Sequence, residues 1–373
     1  MYYDAVAMGG RVIIHTGDIM ELGIIGLPQT GKKSLFQLLT GTAPHETGDR
    51  ISAGVADIKD ARFDTLVKMY EPKKEVPARI NLQLLPKIES DSIREGKIFT
   101  DISKMDALCH VVRVFEDESV YHASGSVDAI RDIDFVNSEL IFHDLIFIDK
   151  RFERIENSRK KKAEARLDQE EELLNRMKAH LEKDLHLRTF DISDEDKKLI
   201  AGYPFITAKE ILIVLNVSDD KITDTSLMEK LRAKLSPLSM EVMQVSAKLE
   251  AEISALDNED EKLEFMTDAG IKEPALNLLS ALAMQTLGLI SFFTVGKDEV
   301  RQWQIRKGSP APVAAGAIHT DIQRGFIRAE VMKYDDLMEH GTEEDLKKAG
   351  KFHVMGKDYL VEDGDIINFR FNV

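Results

Sequence analysis

Residues 20–39 read Met-Glu-Leu-Gly-Ile-Ile-Gly-Leu-Pro-Gln-Thr-Gly-Lys-Lys-Ser-Leu-Phe-Gln-Leu-Leu, and their order decides the fold. The apolar run Leu22 to Ile25 reads as a buried strand. The segment Gly26 to Ser34 is a glycine turn, and Leu35, Phe36, Leu38 and Leu39 recur at helical spacing. Strand, glycine loop and helix in immediate succession form the context of a phosphate-binding loop, in which main-chain N–H groups and a lysine, here Lys32, face the anion. One position departs from the pattern. A phosphate loop places Ser or Thr directly after its lysine to hold Mg²⁺, whereas this chain has Lys33 there and Ser34 one place later.

The chain of 373 residues has room for two or three domains, and its 43% hydrophobic content is ordinary for a globular protein. Its net charge of −16 excludes a surface that coats nucleic acid throughout, but leaves room for a local basic patch. The single cysteine, Cys109, has no partner for an internal disulfide and sits among core residues, which suits a reducing cytoplasm. No apolar run approaches the roughly 20 residues of a membrane span. Residues 1–19 read as an extension ahead of Met20, without the features of a signal peptide.

Outward from the loop, Gly41 to Ser52 is a polar connection, Ala61 to Met69 a short helix, and Ile80, Leu82 and Leu84 a strand stopped by Pro86. Ala107 to Phe115 is too β-branched for a comfortable helix and reads as a buried strand. From Phe135 the period changes. Ile141, Leu145, Ile148, Phe152 and Ile155 form one coiled-coil seam; Leu167, Leu174, Met177, Leu181 and Leu185 form a second. Two long helices joined near Asn157 to Lys162 therefore make an antiparallel hairpin, with Arg159, Lys160, Lys161 and Lys162 at its tip. On an acidic protein such a tip points to an RNA or ribosome contact, against the alternative of a merely solvated charge run. Strands resume at Glu210 to Leu215, ending in Asn216-Val217-Ser218-Asp219, and at Val242 to Val245, ending in Ser246-Ala247-Lys248. Pro274 to Leu289 is a helix, and Ile290 to Val373 alternates strands with glycine turns as a small α+β module.

Three elements now stand in order: a phosphate loop, a strand ending in Asn-x-x-Asp and a strand ending in Ser-Ala-Lys. With the inserted hairpin they resemble the YchF/Obg-like ATPase family of P-loop NTPases. The C-terminal stretch carries the resemblance furthest, in Leu289 to Gly296, Ile305 to Gly308, Arg324 to Glu330, Gly356 to Tyr359 and Phe369 to Val373. The resemblance implies an α/β fold: a G domain in two parts (20–134 and 201–289), a helical coiled-coil insertion (135–200) and a β-grasp TGS domain (290–373). It also implies binding of ATP or GTP, slow hydrolysis and association with ribosomes. Carried over, Gln29, Thr30, Gly31, Lys32, Lys33 and Ser34 surround the phosphates, Asn216, Val217 and Asp219 lie near the base, and Ser246, Ala247 and Lys248 lie behind it. Family members usually have Glu where Asp219 stands, which leaves the choice between ATP and GTP open.

The departures from the family share a theme. Lys33 replaces the metal-binding Ser, the switch threonine has no counterpart between His45 and Gly54, and Leu84-Leu85-Pro86-Lys87 stands where Asp-x-x-Gly belongs. These are the positions from which a P-loop enzyme organises Mg²⁺, so the metal is doubtful and hydrolysis is expected to be weak or lost. Lys33 either supplies positive charge near the phosphates or points to solvent. Glu89 and Asp91 are the substitute metal ligands a working NTPase would need. The contrasting reading is a nucleotide-free scaffold that presents the hairpin and the TGS domain. Outside this constellation, His110 reads as a packed core residue, His122 and His143 have no partner at a metal-ligand spacing, and Trp303 is either a stacking platform for RNA or a strand-face packing residue.

Overall fold

The computed structural model describes residues 20–46, 50–89, 93, 96–122, 124–160, 165–271 and 273–372. The extension 1–19, part of the stretch between His45 and Gly54, Asp91, Lys161 and Lys162 lie outside them. The chain forms two compact units. Among the described residues no helix is long and apolar enough to cross a membrane.

The first unit is built on a six-stranded sheet in the order β2-β4-β1-β5-β6-β7. Its strands are β1 (Glu21–Ile25), β2 (Ser52–Asp57), β4 (Arg79–Leu84), β5 (Ala107–Arg113), β6 (Glu210–Asn216) and β7 (Met240–Val245). All seven residues of β5 are buried, and β6 is buried from Ile211 onward. This is the near-continuous apolar character of strands covered on both faces. β1 pairs in parallel with β4 on one side and β5 on the other, so the chain reverses its order of strand addition at β1. In open parallel sheets, ligands bind at the carboxyl ends of the strands beside such a reversal. The phosphate loop leaves β1 at that point.

The helical insertion begins earlier than the seam alone indicates. Its first helix runs Ala129–Arg159, started by Asp128, whose side chain accepts the Arg131 N–H at 3.1 Å. One helix serves two cores. Ile133, Val136 and Leu140 pack into the core of the sheet, whereas Ile148 and Ile155 pack against Leu174, Met177 and Leu181 of the returning helix Ala165–Leu181. The root of the hairpin is pinned by Asp144, which is fully buried and accepts bonds from the N–H groups of Ile206 and Thr207 and the Thr207 hydroxyl at 2.7–3.0 Å. Three donors offset the cost of burying that carboxylate.

The second unit joins Leu276–Val373 to Ala56–Ile80. Its sheet runs β11-β10-β12-β8-β9-β3, with β8 (Leu289–Thr294), β9 (Glu299–Arg306), β10 (Phe326–Lys333), β11 (His353–Met355) and β12 (Asp365–Phe371). The sixth strand, β3 (Lys74–Val76), pairs in parallel with β9 and comes from the N-terminal third of the chain. The helix Ala61–Tyr70 accompanies it and buries Phe63 and Leu66 against Phe293, Val300, Met332 and Ile366. Arg62 is held between Asp60 and Asp363 at 2.8 and 2.7 Å. The C-terminal β-grasp module is thus completed by a segment more than two hundred residues upstream, which nothing in its sequence announces.

Trp303, the single tryptophan, lies in this unit and is a packing residue: its indole N–H donates to Thr294 Oγ1 at 3.0 Å and its ring stacks on Phe292. The stacking platform for RNA is not what this side chain forms, because one face is covered by Phe292 and the Arg301 guanidinium lies 4.2 Å from the ring centroid. Its fluorescence reports on the second unit alone. Leu66→Ala removes a fully buried side chain and is expected to cost about 2–5 kcal/mol there. The check is a lowered urea midpoint of the Trp303 transition.

Candidate functional site

The phosphate loop takes its shape from three residues at positive φ. Gly26 (148°) and Gly31 (90°) use the freedom of glycine, and Gln29 (60°) adopts the left-handed region at a cost of order 1 kcal/mol. Close approach explains both glycines. A Cβ at Gly26 would stand 2.4 Å from the Val111 carbonyl oxygen, and one at Gly31 would stand 2.1 Å from Asn216 Nδ2. The loop feeds the helix Lys32–Thr40, whose first-turn N–H groups have no acidic side chain as competitor.

Lys32 is folded back into this loop. Its Nζ donates to the carbonyl oxygens of Gly26 and Leu27 at 2.7 and 2.5 Å. Burial, and then the nearby Lys87 charge, push its pKa down to about 7. Beneath it His110, on β5 opposite Ile25, is fully buried and pushed down to about 3, first by burial and then by the Lys32 charge. It is a neutral core imidazole. Thr30 is buried with its hydroxyl donating to the Leu27 carbonyl at 3.2 Å; Gln29, Lys33 and Ser34 are exposed. Lys33 resolves its two readings in neither direction: its Nζ donates to the Glu46 carbonyl at 2.7 Å, tying the helix start to the polar connection before β2.

The ends of β6 and β7 meet this loop through one side chain. Asn216 donates from Nδ2 to the Thr30 carbonyl at 3.0 Å and accepts the Ala247 N–H on Oδ1 at 3.1 Å. Three segments far apart in the chain are thereby fixed to one another. Asp219 receives the Ser246 hydroxyl on one oxygen at 2.5 Å and Lys248 Nζ on the other at 3.1 Å. Partial burial opposes its ionisation, but those two donors outweigh it and hold the carboxyl below its usual range. Ser246 also accepts the Leu249 N–H at 3.3 Å and so caps the helix Ala247–Ser254. Val217 does not join this polar ring. Its N–H pairs with the Val245 carbonyl at 2.8 Å and its side chain lies in the apolar core.

The arrangement is a helix N-terminus with a buried lysine at one end and a preorganised Asn–Asp–Ser–Lys ring at the other. A metal fits poorly at the position after Lys32, because an ammonium group has no lone pair to offer a cation. One pair escapes sequence reasoning: His122 and Asp132, ten residues apart, are both buried with His122 Nε2 3.0 Å from Asp132 Oδ2. The Ser124 N–H donates to His122 Nδ1 at 3.1 Å, so Nε2 carries the proton and donates to the carboxylate. No spacing rule signals it, since the two residues are brought together only where the long helix starts.

Comparison with known proteins identifies the family. Residues 289–372 match the family described as "YchF-GTPase_C: Protein of unknown function (DUF933)". The chain is 38% identical over 367 residues to "Ribosome-binding ATPase YchF" of Bacillus subtilis (strain 168), covering 95% of this chain and 100% of that protein. The chain belongs to the YchF family. It is also 35% identical over 367 residues to "Obg-like ATPase 1" of Oryza sativa subsp. japonica, covering 95% of this chain and 92% of that one. The structure of the Schizosaccharomyces pombe YchF GTPase superposes with a TM-score of 0.79 at 28% identity, over 95% of this chain and 98% of that chain. The family architecture of a G domain, a coiled-coil insertion and a TGS domain is therefore the architecture of this chain.

Two outcomes follow from the geometry. Asn216→Ala leaves the Thr30 carbonyl and the Ala247 N–H without their partner and is expected to lower stability by about 1–3 kcal/mol, read as a drop in thermal midpoint without any ligand. Burial of Lys32 also sets a pH dependence. Between about 7 and its ordinary 10.5 the unfolded chain binds the proton that the folded chain has released, so stability rises with pH across that window. Chemical denaturation at pH 7 and pH 9.5 should show this rise in the native protein and a smaller one in Lys32→Met.

Proposed function

We propose that this YchF protein binds a purine nucleoside triphosphate, ATP or GTP, and acts as a ribosome-associated regulator in which hydrolysis is weak or lost. The observation that carries the reading is the Asn216 bridge, which sets the phosphate loop and the Asp219–Ser246–Lys248 ring at fixed separation. A ligand that uses both ends needs a polyphosphate and a base with hydrogen-bonding edges. Relatives whose names record ATPase activity and ribosome binding support the same reading.

In this account the N-terminal N–H groups of the helix Lys32–Thr40 receive the phosphate oxygens, and Lys32 leaves the Gly26 and Leu27 carbonyls to face them. Anion binding raises the Lys32 pKa from about 7, so nucleotide binding takes up a proton and affinity falls as pH rises above that value. Asp219 accepts from the base edge, Asn216 orients the loop and Ser246, Ala247 and Lys248 back the ring. Lys33 supplies charge on the Mg²⁺ side of the phosphates without ligating a metal, which favours binding over the positioning of an attacking water. A titration with labelled ATP and GTP, each with Mg²⁺ and with chelator, tests the reading. Binding that persists in chelator, weakens between pH 7 and pH 9 and disappears in Lys32→Ala is the expected result. No binding of either nucleotide overturns it in favour of a nucleotide-free scaffold.

The ribosome contact is assigned to the hairpin tip and the TGS domain. Within the hairpin Arg159 is already paired with Asp168 and Glu171, both at 2.5 Å, and Lys160 with Glu156 at 3.2 Å, so part of the tip's charge is spent internally. Replacing Arg159, Lys160, Lys161 and Lys162 together with glutamine is expected to reduce ribosome co-sedimentation about tenfold at low salt, with a weaker salt dependence. Unchanged co-sedimentation would remove the tip from the contact.

A further inference from the structure

The second unit contains an opening inside its own sheet. β12 pairs with β10 along its full length, from Lys333↔Asp365 to Phe326↔Phe371. On its other side, β12 meets β8 in parallel at Ile366↔Phe293 and β8 ends one residue later, at Thr294. From Asn368 to Phe371, therefore, no strand among the described residues lies along that side of β12. Successive residues of a strand turn their N–H and C=O groups to alternate sides, so every second residue of this stretch presents both groups to the opening. A groove of about 420 Å³ runs beside it, lined among others by Val295, Ile318, Ile322, Phe352 and Phe369. Phe371 at its end is 45% exposed.

The charged residues lining the groove balance in number, Arg370 and Lys347 against Glu330 and Glu343. Arg370 donates to Glu330 at 2.9 Å, Glu343 accepts the Tyr70 hydroxyl at 2.9 Å, and Lys347 lies 4.8 Å from the centroid of the Phe352 ring. A nucleic-acid strand requires a surplus of cations along its backbone, and this rim offers none. What the opening lacks is a ladder of main-chain donors and acceptors at the two-residue repeat, flanked by apolar side chains. Only a polypeptide in extended conformation supplies both.

We propose that the β12 edge from Asn368 to Phe371 is a strand-addition site, which captures an extended, apolar segment of a partner protein in the lane that β8 vacates. The segment's main chain pairs with β12, and its alternate side chains enter the groove at Ile318 and Ile322. The TGS domain thereby acts as a peptide-docking module, independently of the nucleotide site in the other unit.

The test uses the full-length protein and a fluorescein-labelled heptapeptide of alternating valine and threonine, flanked by one lysine and one glutamate. Saturable binding by anisotropy is expected, with slowed amide exchange confined to Asn368–Phe371. N-methylation of alternate peptide amides should weaken binding about tenfold, as loss of one or two main-chain bonds requires. Val295→Trp, which enlarges a half-buried side chain lining the groove, should weaken it by a similar factor while a cooperative thermal transition and the nucleotide titration show that the protein remains folded; Ile322→Ala gives a second, milder variant. Absence of saturable binding, or binding indifferent to N-methylation and to both variants, overturns the proposal. So does binding that appears only after residues 1–19 are deleted, which would assign the groove to this chain's own N-terminus. Self-association abolished by Val295→Trp would assign it to a second copy, and competition by single-stranded RNA would assign it to nucleic acid; either result overturns the partner peptide.

Discussion

The double hydrogen bond of Asn216 is the constraint on which the candidate site depends. A single amide spans the loop after β1 and the helix after β7, with its own strand between them. Gly31 is glycine because that amide comes so near, and Ala247 starts its helix where the amide oxygen receives its N–H. An amide suits this position because it donates and accepts at once; a carboxylate would repel the Thr30 carbonyl and a hydrophobe would leave both partners buried and unpaired. The geometry of the phosphate loop is thus set by a residue almost two hundred positions away. That side chain fixes the backbone of the loop, whereas the Lys32 ammonium rests on the Gly26 and Leu27 carbonyls.

The same economy appears in the positive charges around the loop. Lys32 rests on two carbonyl oxygens with its proton loosely held, and Lys33 rests on a third, that of Glu46. Both ammonium groups are satisfied by main-chain oxygen in the structure, so a polyphosphate competes with carbonyls and not with carboxylates. Carbonyl partners are weaker competitors than acidic side chains would be. A loop of this kind can bind without being locked shut. Where a phosphate loop usually carries a hydroxyl directly after its lysine, this one carries Lys33.

The second unit shows how far a module can extend beyond its own sequence neighbourhood. Its sheet needs β3, and the layer over Phe293, Val300 and Ile366 needs the helix Ala61–Tyr70. The residues between β2 and β4 are therefore committed to the C-terminal fold while their flanking strands build the first sheet. Segments 56–80 and 276–373 share one hydrophobic layer and several ion pairs, which makes them one folding unit although they are distant in the chain.

Much of this was legible from the order of residues. The run from Leu22 to Leu39 announces strand, anion loop and helix because periodicity and glycine placement are local properties. The seams through Ile148 and Leu174 announce the hairpin for the same reason. Asn216, Asp219 and Ser246 stood out by motif, in a strand ending in Asn-x-x-Asp and a strand ending in Ser-Ala-Lys. Other features depend on tertiary structure. The earlier start of the long helix, the His122–Asp132 pair, the occupation of Lys33 by Glu46, the packed state of Trp303 and the open side of β12 all depend on which distant segments meet. Local sequence sets propensity and pattern; partners for buried polar groups and strand edges are chosen only when the chain closes on itself. The strand, glycine loop and helix around Gly26–Ser34 are written in the chain, whereas the posture of that loop, and the gap left in the second sheet, were decided by packing.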